Sequence, residues 1–281
     1  MQLFKCIACK KQFLGGTRLS NEVLWQEYVE GKQTYKQLAS KHNCSVKTIQ
    51  RRLDKITFTP PKVAANEVAV LMDTTYFGRG FGVMLFKDAY SGKNLYKVYV
   101  KTETNQHYAD GIGYLVNNGF MIKAIVCDGR RGLLQLFPSI PMQMCQFHQV
   151  AIIRRYLTKK PKMQAGKELW EHVLLLSKTD KESFEGGLDA WHEKWNGSLN
   201  ERKLDPQGKN RYVHKRIRSA YRSLKANLPW LFTWYDNMPL NIPNTTNAID
   251  GHFADLKNKL RNHNGLSLPR KKKFINEFLK A

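Results

Sequence analysis

Acidic residues are scarce in this sequence: 23 Asp+Glu stand against 46 Lys+Arg, a formal net charge of +23. A chain so short of carboxylates is drawn to polyanions, and nucleic acid is the commonest of them. No apolar run approaches the roughly 18–20 residues of a membrane span, so no membrane partner is expected. The start, Met1-Gln2-Leu3-Phe4-Lys5-Cys6, lacks the basic stretch and long apolar segment of a secretory leader. Five cysteines are an odd number without framework spacing, which excludes a disulfide scaffold and suits a reducing cytosol. There is no internal repeat and no low-complexity tract. At 42% hydrophobic and 11% aromatic, the composition supplies a core and excludes wholesale disorder. A length of 281 residues fits one large domain or two modest ones.

The positive charge is uneven. Residues 1–60 hold eleven Lys/Arg against four Asp/Glu, and residues 257–281 hold eight against one. At the start, Cys6-Ile7-Ala8-Cys9 offers two thiolates to a tetrahedral zinc ion, which needs four ligands. No second such pair exists, so Cys6 and Cys9 read as half of a zinc ribbon over residues 1–18, either cut short or vestigial. Helical patterns follow over residues 22–30, 34–42 and 45–55. Leu38, Ala39, Val46, Ile49 and Leu53 form an apolar set that holds the last two helices at a steep angle, and Ser45 is placed to cap the second of them. The spacing predicts a helix-turn-helix domain over residues 19–58. Its second helix would turn Lys47, Thr48, Gln50, Arg51 and Lys55 outward, types suited to phosphates and base edges. The plain alternative is a three-helix bundle with a basic surface. Pro60-Pro61 reads as a linker.

Beyond the linker the texture turns to strands. Val68-Ala69-Val70-Leu71-Met72, Phe81-Gly82-Val83-Met84-Leu85-Phe86 and Leu95-Tyr96-Lys97-Val98-Tyr99-Val100 are three of them. A helix is predicted over residues 105–116, then a buried strand at Met121-Ile122-Lys123-Ala124-Ile125-Val126-Cys127. A short helix and a short strand at residues 141–145 come next. From 149 to about 239 the pattern is helical, and residues 244–261 are helical again. The expected fold is α/β, an α+β mixed sheet, in the strand order of an RNase H-like core. Its first part spans residues 66–160, an all-helical insertion 161–240, and a C-terminal core helix with a basic tail 241–281.

Asp73 and Asp128 each follow an apolar strand. If those strands are neighbours the carboxylates converge, and converging carboxylates are the hard-oxygen setting that Mg²⁺ takes. The alternative is that each caps a turn. Within the insertion, Trp191 with Trp195 and Trp230 with Trp234 are spaced to share helix faces, as core or as stacking surfaces for a base. Arg211, His214, Lys215, Arg216, Arg218, Arg222 and Lys225 read as one basic helix, a DNA track or a solvated face.

Four motifs occur in order: Met72-Asp73-Thr74-Thr75-Tyr76-Phe77, Val126-Cys127-Asp128-Gly129-Arg130-Arg131-Gly132-Leu133, Cys145-Gln146-Phe147-His148, and Asn244-Thr245-Thr246-Asn247-Ala248-Ile249-Asp250. Together with His263-Asn264-Gly265-Leu266-Ser267 they resemble the bacterial Mutator-type insertion-sequence transposase family over about residues 60–275. The resemblance implies an RNase H-like core with a DDE triad at Asp73, Asp128 and Asp250, the last an Asp where the family usually has Glu. It implies two Mg²⁺ or Mn²⁺ ions; His148, one helical turn from Cys145, is expected as an active-site helper, and zinc there is not expected because two further ligands are missing. The substrate would be double-stranded DNA, both element ends and target, with Arg130, Arg131 and Arg216 among the contacts. Such a protein works as a homodimer or larger assembly on DNA, in the nucleoid of a prokaryotic cytoplasm. Two other readings share parts of the pattern: a catalytically inactive, transposon-derived DNA-binding protein, and an RNase H-like nuclease. Asp88, Asp110 and Asp255 are weaker carboxylate candidates, without matching context.

Overall fold

The computed structural model describes residues 3–14, 19–57 and 63–280. The Pro60-Pro61 linker and residues 15–18 of the ribbon-like segment lie outside the described residues. The chain divides into two compact units, one of Met1–Pro61 with Ala254–Lys280, the other of Lys62–Phe253.

In the first unit, β1 (Leu3–Lys5) and β2 (Gln12–Leu14) pair as an antiparallel hairpin whose turn carries Cys6 and Cys9. Three helices follow: α1 (Asn21–Val29), α2 (Tyr35–Lys41) and α3 (Val46–Lys55). Each starts at a hydroxyl cap: Ser20, Thr34 in a reciprocal capping box with Gln37, and Ser45, whose side chain accepts from Thr48 N. Asn43, at φ 47°, makes the tight turn between α2 and α3. Leu24, Leu38, Ile49 and Leu53 form the centre, whereas Val46, expected inside, is exposed.

The second unit is built on one five-stranded sheet. β3 (Glu67–Phe77), β4 (Phe81–Asp88) and β5 (Asn94–Val100) run antiparallel; α4 (Asn105–Asn117) crosses over to β6 (Met121–Cys127), which lies parallel to β3. β7 (Met142–Met144) adds parallel to β6, so the order is β5-β4-β3-β6-β7. The run expected as a short helix before β7 is a series of turns, because Gly132 takes a left-handed φ of 80° that breaks any helix there.

The helices after β7 are α5 (Gln146–Leu157), α6 (Gln164–Val173), α7 (Lys181–Asn200), α8 (Lys215–Leu231) and the short α9 (Thr233–Asp236). This region is not all helical. β8 (Arg202–Leu204) and β9 (Asn210–Tyr212) form a hairpin between α7 and α8. Asp205 accepts from Gln207 N and Lys209 N and Gly208 takes a φ of 72°, closing its turn. Arg211 and His214 therefore precede the basic helix rather than belong to it. Trp191 is buried and donates Nε1–H to the Ala165 carbonyl at 3.0 Å, a core role, while Trp230 and Trp234 fall in different helices.

The last helices are α10 (Asn247–Arg261) and α11 (Leu268–Leu279). The stretch expected as a basic tail of the core is thus a helix, and it belongs to the first unit. Phe274, Ile275 and Leu279 are buried, and Phe274 meets Tyr28 edge-on at 5.6 Å. An amphipathic segment gains more by covering an open helical core than by trailing in water. Among the described residues, no helix is long and apolar enough to cross a membrane.

Candidate active site

The sheet register accounts for the meeting of Asp73 and Asp128. Asp73 is not at a strand end, as expected, but inside β3, opposite Leu85 of β4. On the other side, β6 pairs with β3 only as far as Leu71↔Val126. Continuing that parallel register two residues sets Asp128, just past β6, beside Asp73 on the same face of the sheet. β3 outruns its parallel neighbour at this point, which leaves one edge open to the two carboxylates.

Asp250 arrives from far along the chain. It sits in the first turn of α10, where helix-end N–H groups favour a negative charge. The entry to that helix is pinned to the end of β7: Gln146 N donates to Asn244 O at 2.9 Å, Thr246 N donates to Cys145 Sγ at 3.3 Å, and Thr246 Oγ1 lies 3.3 Å from the same sulfur. Thr246 Oγ1 also lies 3.2 Å from Asp250 Oδ2 and 3.4 Å from His148 Nδ1. Thr246 is fully buried, so its position is set by packing. Cys145 N donates to Cys127 O at 2.8 Å, which ties β7 to the strand that delivers Asp128.

The electrostatics show how close these groups are. Burial, with the charges of Asp250 and Asp128 adding, pushes the Asp73 carboxyl up to about 7, against a backbone hydrogen bond from Thr74 and the charge of His148. His148 is pushed up to about 9, chiefly by its hydrogen bond with Cys145; burial opposes this, and the charges of Cys145, Asp73 and Asp250 reinforce it. Burial pushes the Cys145 thiol up, but hydrogen bonds from His148 and Thr246 outweigh it and leave the thiol lowered. The hydrogen bond between Cys145 and His148 is common to both shifts, and two carboxylates also favour the protonated histidine.

A fourth carboxylate, Glu103, was not expected. It is half-buried, accepts from Tyr108 Oη at 3.0 Å and lies 3.6 Å from Arg130 Nη1. Burial, then the charge of Asp128, raises its pKa. It lies between β5 and α4 with no apolar strand before an aspartate to flag it; only the fold brings it near. Arg130, expected on DNA, is instead tied inward: Nε donates to Asn105 Oδ1 and Nη2 to Glu103 O, both at 2.9 Å, and its N–H donates to Asp128 Oδ1 at 3.2 Å. It braces the loop that carries Asp128.

The other expected DNA-contacting residues are outside this site. Arg131 and Arg216 are exposed, as are Lys47 and Arg51 of α3, with Thr48 and Gln50 half-covered. Thr48 Oγ1 is occupied at the α3 cap by Ser45 Oγ, 3.0 Å away. Cys6 and Cys9 share the β1–β2 turn, and hydrogen bonds from Cys9 and Ala8 lower the Cys6 thiol. Asp88 caps the turn after β4 through Tyr90 N and Ser91 N, Asp110 accepts from Gln106, and Asp255 pairs with Lys259.

The donor chemistry of Asp73, Asp128 and Asp250 fits a divalent cation. All are hard carboxylate oxygens, and each carboxylate has acceptor capacity beyond the single hydrogen bond described for it. Among the described residues, no three His, Cys, Asp or Glu side chains are gathered into a ready-made ligand set. Compared with models of known protein families and with curated proteins, the chain matches none.

Proposed function

We propose that this chain is a DDE-type DNA transposase of an insertion sequence, which cuts phosphodiesters at the element's ends and joins the freed 3′-OH to target DNA. The observation that carries the reading is that Asp73 in β3, Asp128 just past β6 and Asp250 at the start of α10 lie near enough for the charges of the other two to act on Asp73, with each carboxylate in a motif resembling that family's. The sheet order β5-β4-β3-β6-β7 supports the RNase H-like core, and the hydroxyl-capped α3 with exposed Lys47 and Arg51 supports a helix-turn-helix reader of terminal-repeat DNA.

Asp73, Asp128 and Asp250 would hold the Mg²⁺ or Mn²⁺ ions, whose chemistry when bound is Lewis acidity toward a phosphodiester and activation of the attacking oxygen. The remaining work falls to the chain. Thr246 orients the Asp250 carboxylate. His148, protonated at neutral pH and held by Cys145, offsets repulsion between Asp73 and Asp250. Arg130 steadies Asp128 from the α4 side. Asp250 is one methylene shorter than the family's usual Glu.

The test is nicking of duplex DNA carrying the element's terminal repeats in Mg²⁺ or Mn²⁺. The wild type is expected to cut and Asp73→Ala to fall to background with an unchanged circular-dichroism spectrum. If the wild type cuts no better than Asp73→Ala, the enzyme reading is wrong. The open ligand set among the described residues would then favour a DNA-binding protein without catalysis. Transfer of a pre-cut end into a target plasmid separates a transposase from an RNase H-like nuclease.

A further inference from the structure

The second unit holds a cavity of about 230 Å³ away from the three aspartates, lined by His192, Asn196, Asn200, Arg218, Tyr221 and Arg222. No carboxylate lines it. The β8–β9 hairpin supplies Tyr212, whose hydroxyl accepts from Arg202 and, at 3.2 Å, from Arg218 Nη2. Both guanidiniums also lie over its ring, at 4.2 and 3.9 Å from the centroid. Arg218 is fixed further by Asn200 Oδ1 at 2.8 Å and the Leu199 carbonyl at 3.3 Å. Its Nε–H is buried and has no hydrogen-bond partner.

A buried guanidinium N–H without an acceptor is costly, and so is a cluster of guanidiniums without a counter-charge. Nearby acids are engaged elsewhere: Asp205 with Arg211, Glu201 with His214, Asp189 with Lys225. Arg222 is exposed and pairs with no carboxylate. What the cluster lacks is an oxyanion, and the planar edge of a guanidinium is matched to the oxygens of a phosphate.

The cavity also has an aromatic lining. The rings of His192 and Tyr221 stack with centroids 4.3 Å apart and planes 6° from parallel, and Trp191 backs Tyr221 at 5.7 Å. A phosphate-binding edge beside a flat aromatic wall is the pairing that holds a nucleotide of a single strand. The volume lies below the roughly 300–1,000 Å³ of a cofactor or drug-sized site, which suits one nucleotide.

We propose that this cavity is a subsite for one unstacked nucleotide of a DNA strand, its phosphate held by Arg218 and Arg222 and its base laid against the His192–Tyr221 pair. The naming of DNA rests on the transposase reading; the oxyanion site rests on the side chains alone.

The experiment measures binding of a labelled single-stranded oligonucleotide of about a dozen nucleotides to the full chain across a salt series. Arg222→Ala loses no internal hydrogen bond, so the fold is kept. It is expected to weaken binding about ten-fold and to reduce the slope of log affinity against log salt by about 0.7, one phosphate of a single strand. His192→Ala is expected to cost about ten-fold at an unchanged slope, since stacking carries no counter-ion. Unchanged affinity and slope in Arg222→Ala would overturn the subsite; if Asp73→Ala still abolishes cutting, the transposase reading survives that loss. Conversely, weakened binding in Arg222→Ala, with the wild type cutting no better than Asp73→Ala, upholds the subsite and removes the enzyme. A wild type that binds no strand overturns the subsite and leaves the transposase reading to the cutting assay.

Discussion

Two helices dense in Lys and Arg, α11 in the first unit and α8 in the second, use that charge differently. α11 carries Arg270, Lys271, Lys272 and Lys273 in succession. Arg270 grips Asp54 with both arms of its guanidinium, at 2.9 and 2.6 Å, and Lys273 Nζ donates to the carbonyls of Leu53 and Asp54, where α3 ends. Those two charges staple a helix and neutralise the negative end of another. In α8, Lys225 is paired with Asp189, but Arg218 and Arg222 meet a phenol, an amide and a cavity instead of a carboxylate. Charge density along a chain therefore does not mark a polyanion site. What marks one is cationic charge that the fold has placed and left unneutralised.

The comparison breaks most sharply at Phe274. If α11 is a structural helix, Phe274→Ala, at a fully buried position, should cost about 3–5 kcal/mol in urea unfolding of the full chain. A loose basic tail would lose nothing measurable. A smaller effect is expected from acid. His263 stacks against Tyr28 and Phe274, and burial lowers its pKa from the ordinary 6.5, against a backbone hydrogen bond involving Tyr28. The folded imidazole stays neutral while the unfolded one takes up a proton. Stability is thus complete above pH 6.5 and declines as pH falls through the folded value. Between about pH 7.5 and 5.5 the urea midpoint of the wild type should fall relative to that of His263→Gln, a difference in which the opposed contributions of Asp73 and His148 cancel.

Smaller still is Arg270→Ala. Its ion pair is partly exposed, so about 0.2–1 kcal/mol is expected, shrinking with added salt in thermal melts. Arg222→Ala should change stability least, within about 0.5 kcal/mol by the same melts, because it removes no internal partner. A large loss there would make α8 a staple like α11 and erase the contrast.

Much of the sheet was legible from residues alone. β-branched and aromatic runs announced β3 to β6, and Ser45 announced the start of α3 through its hydroxyl. The β8–β9 hairpin was missed because Arg202-Lys203-Leu204 and Asn210-Arg211-Tyr212 alternate weakly, although Asp205-Pro206-Gln207-Gly208 between them is turn chemistry that could have been read. At the candidate site, Asp73, Asp128 and Asp250 were singled out by the words around them. Glu103 was not, and Arg130 was placed on DNA although it binds inward, because its partners Glu103 and Asn105 come near only when α4 crosses back to β6.

The sequence by itself determined an excess of positive charge, the strands and helices that local pattern announces, and three aspartates in recognisable settings. The tertiary structure decided which of them meet and which cations are already spent. Register sets Asp128 beside Asp73, and a buried threonine docked on Cys145 delivers Asp250. Arg270 is neutralised by an aspartate 216 residues away in the chain, while Arg218 lines a cavity that holds no carboxylate. The reason is physical: propensity and periodicity are local, whereas the pairing of charges is settled by what folding brings within a few ångströms.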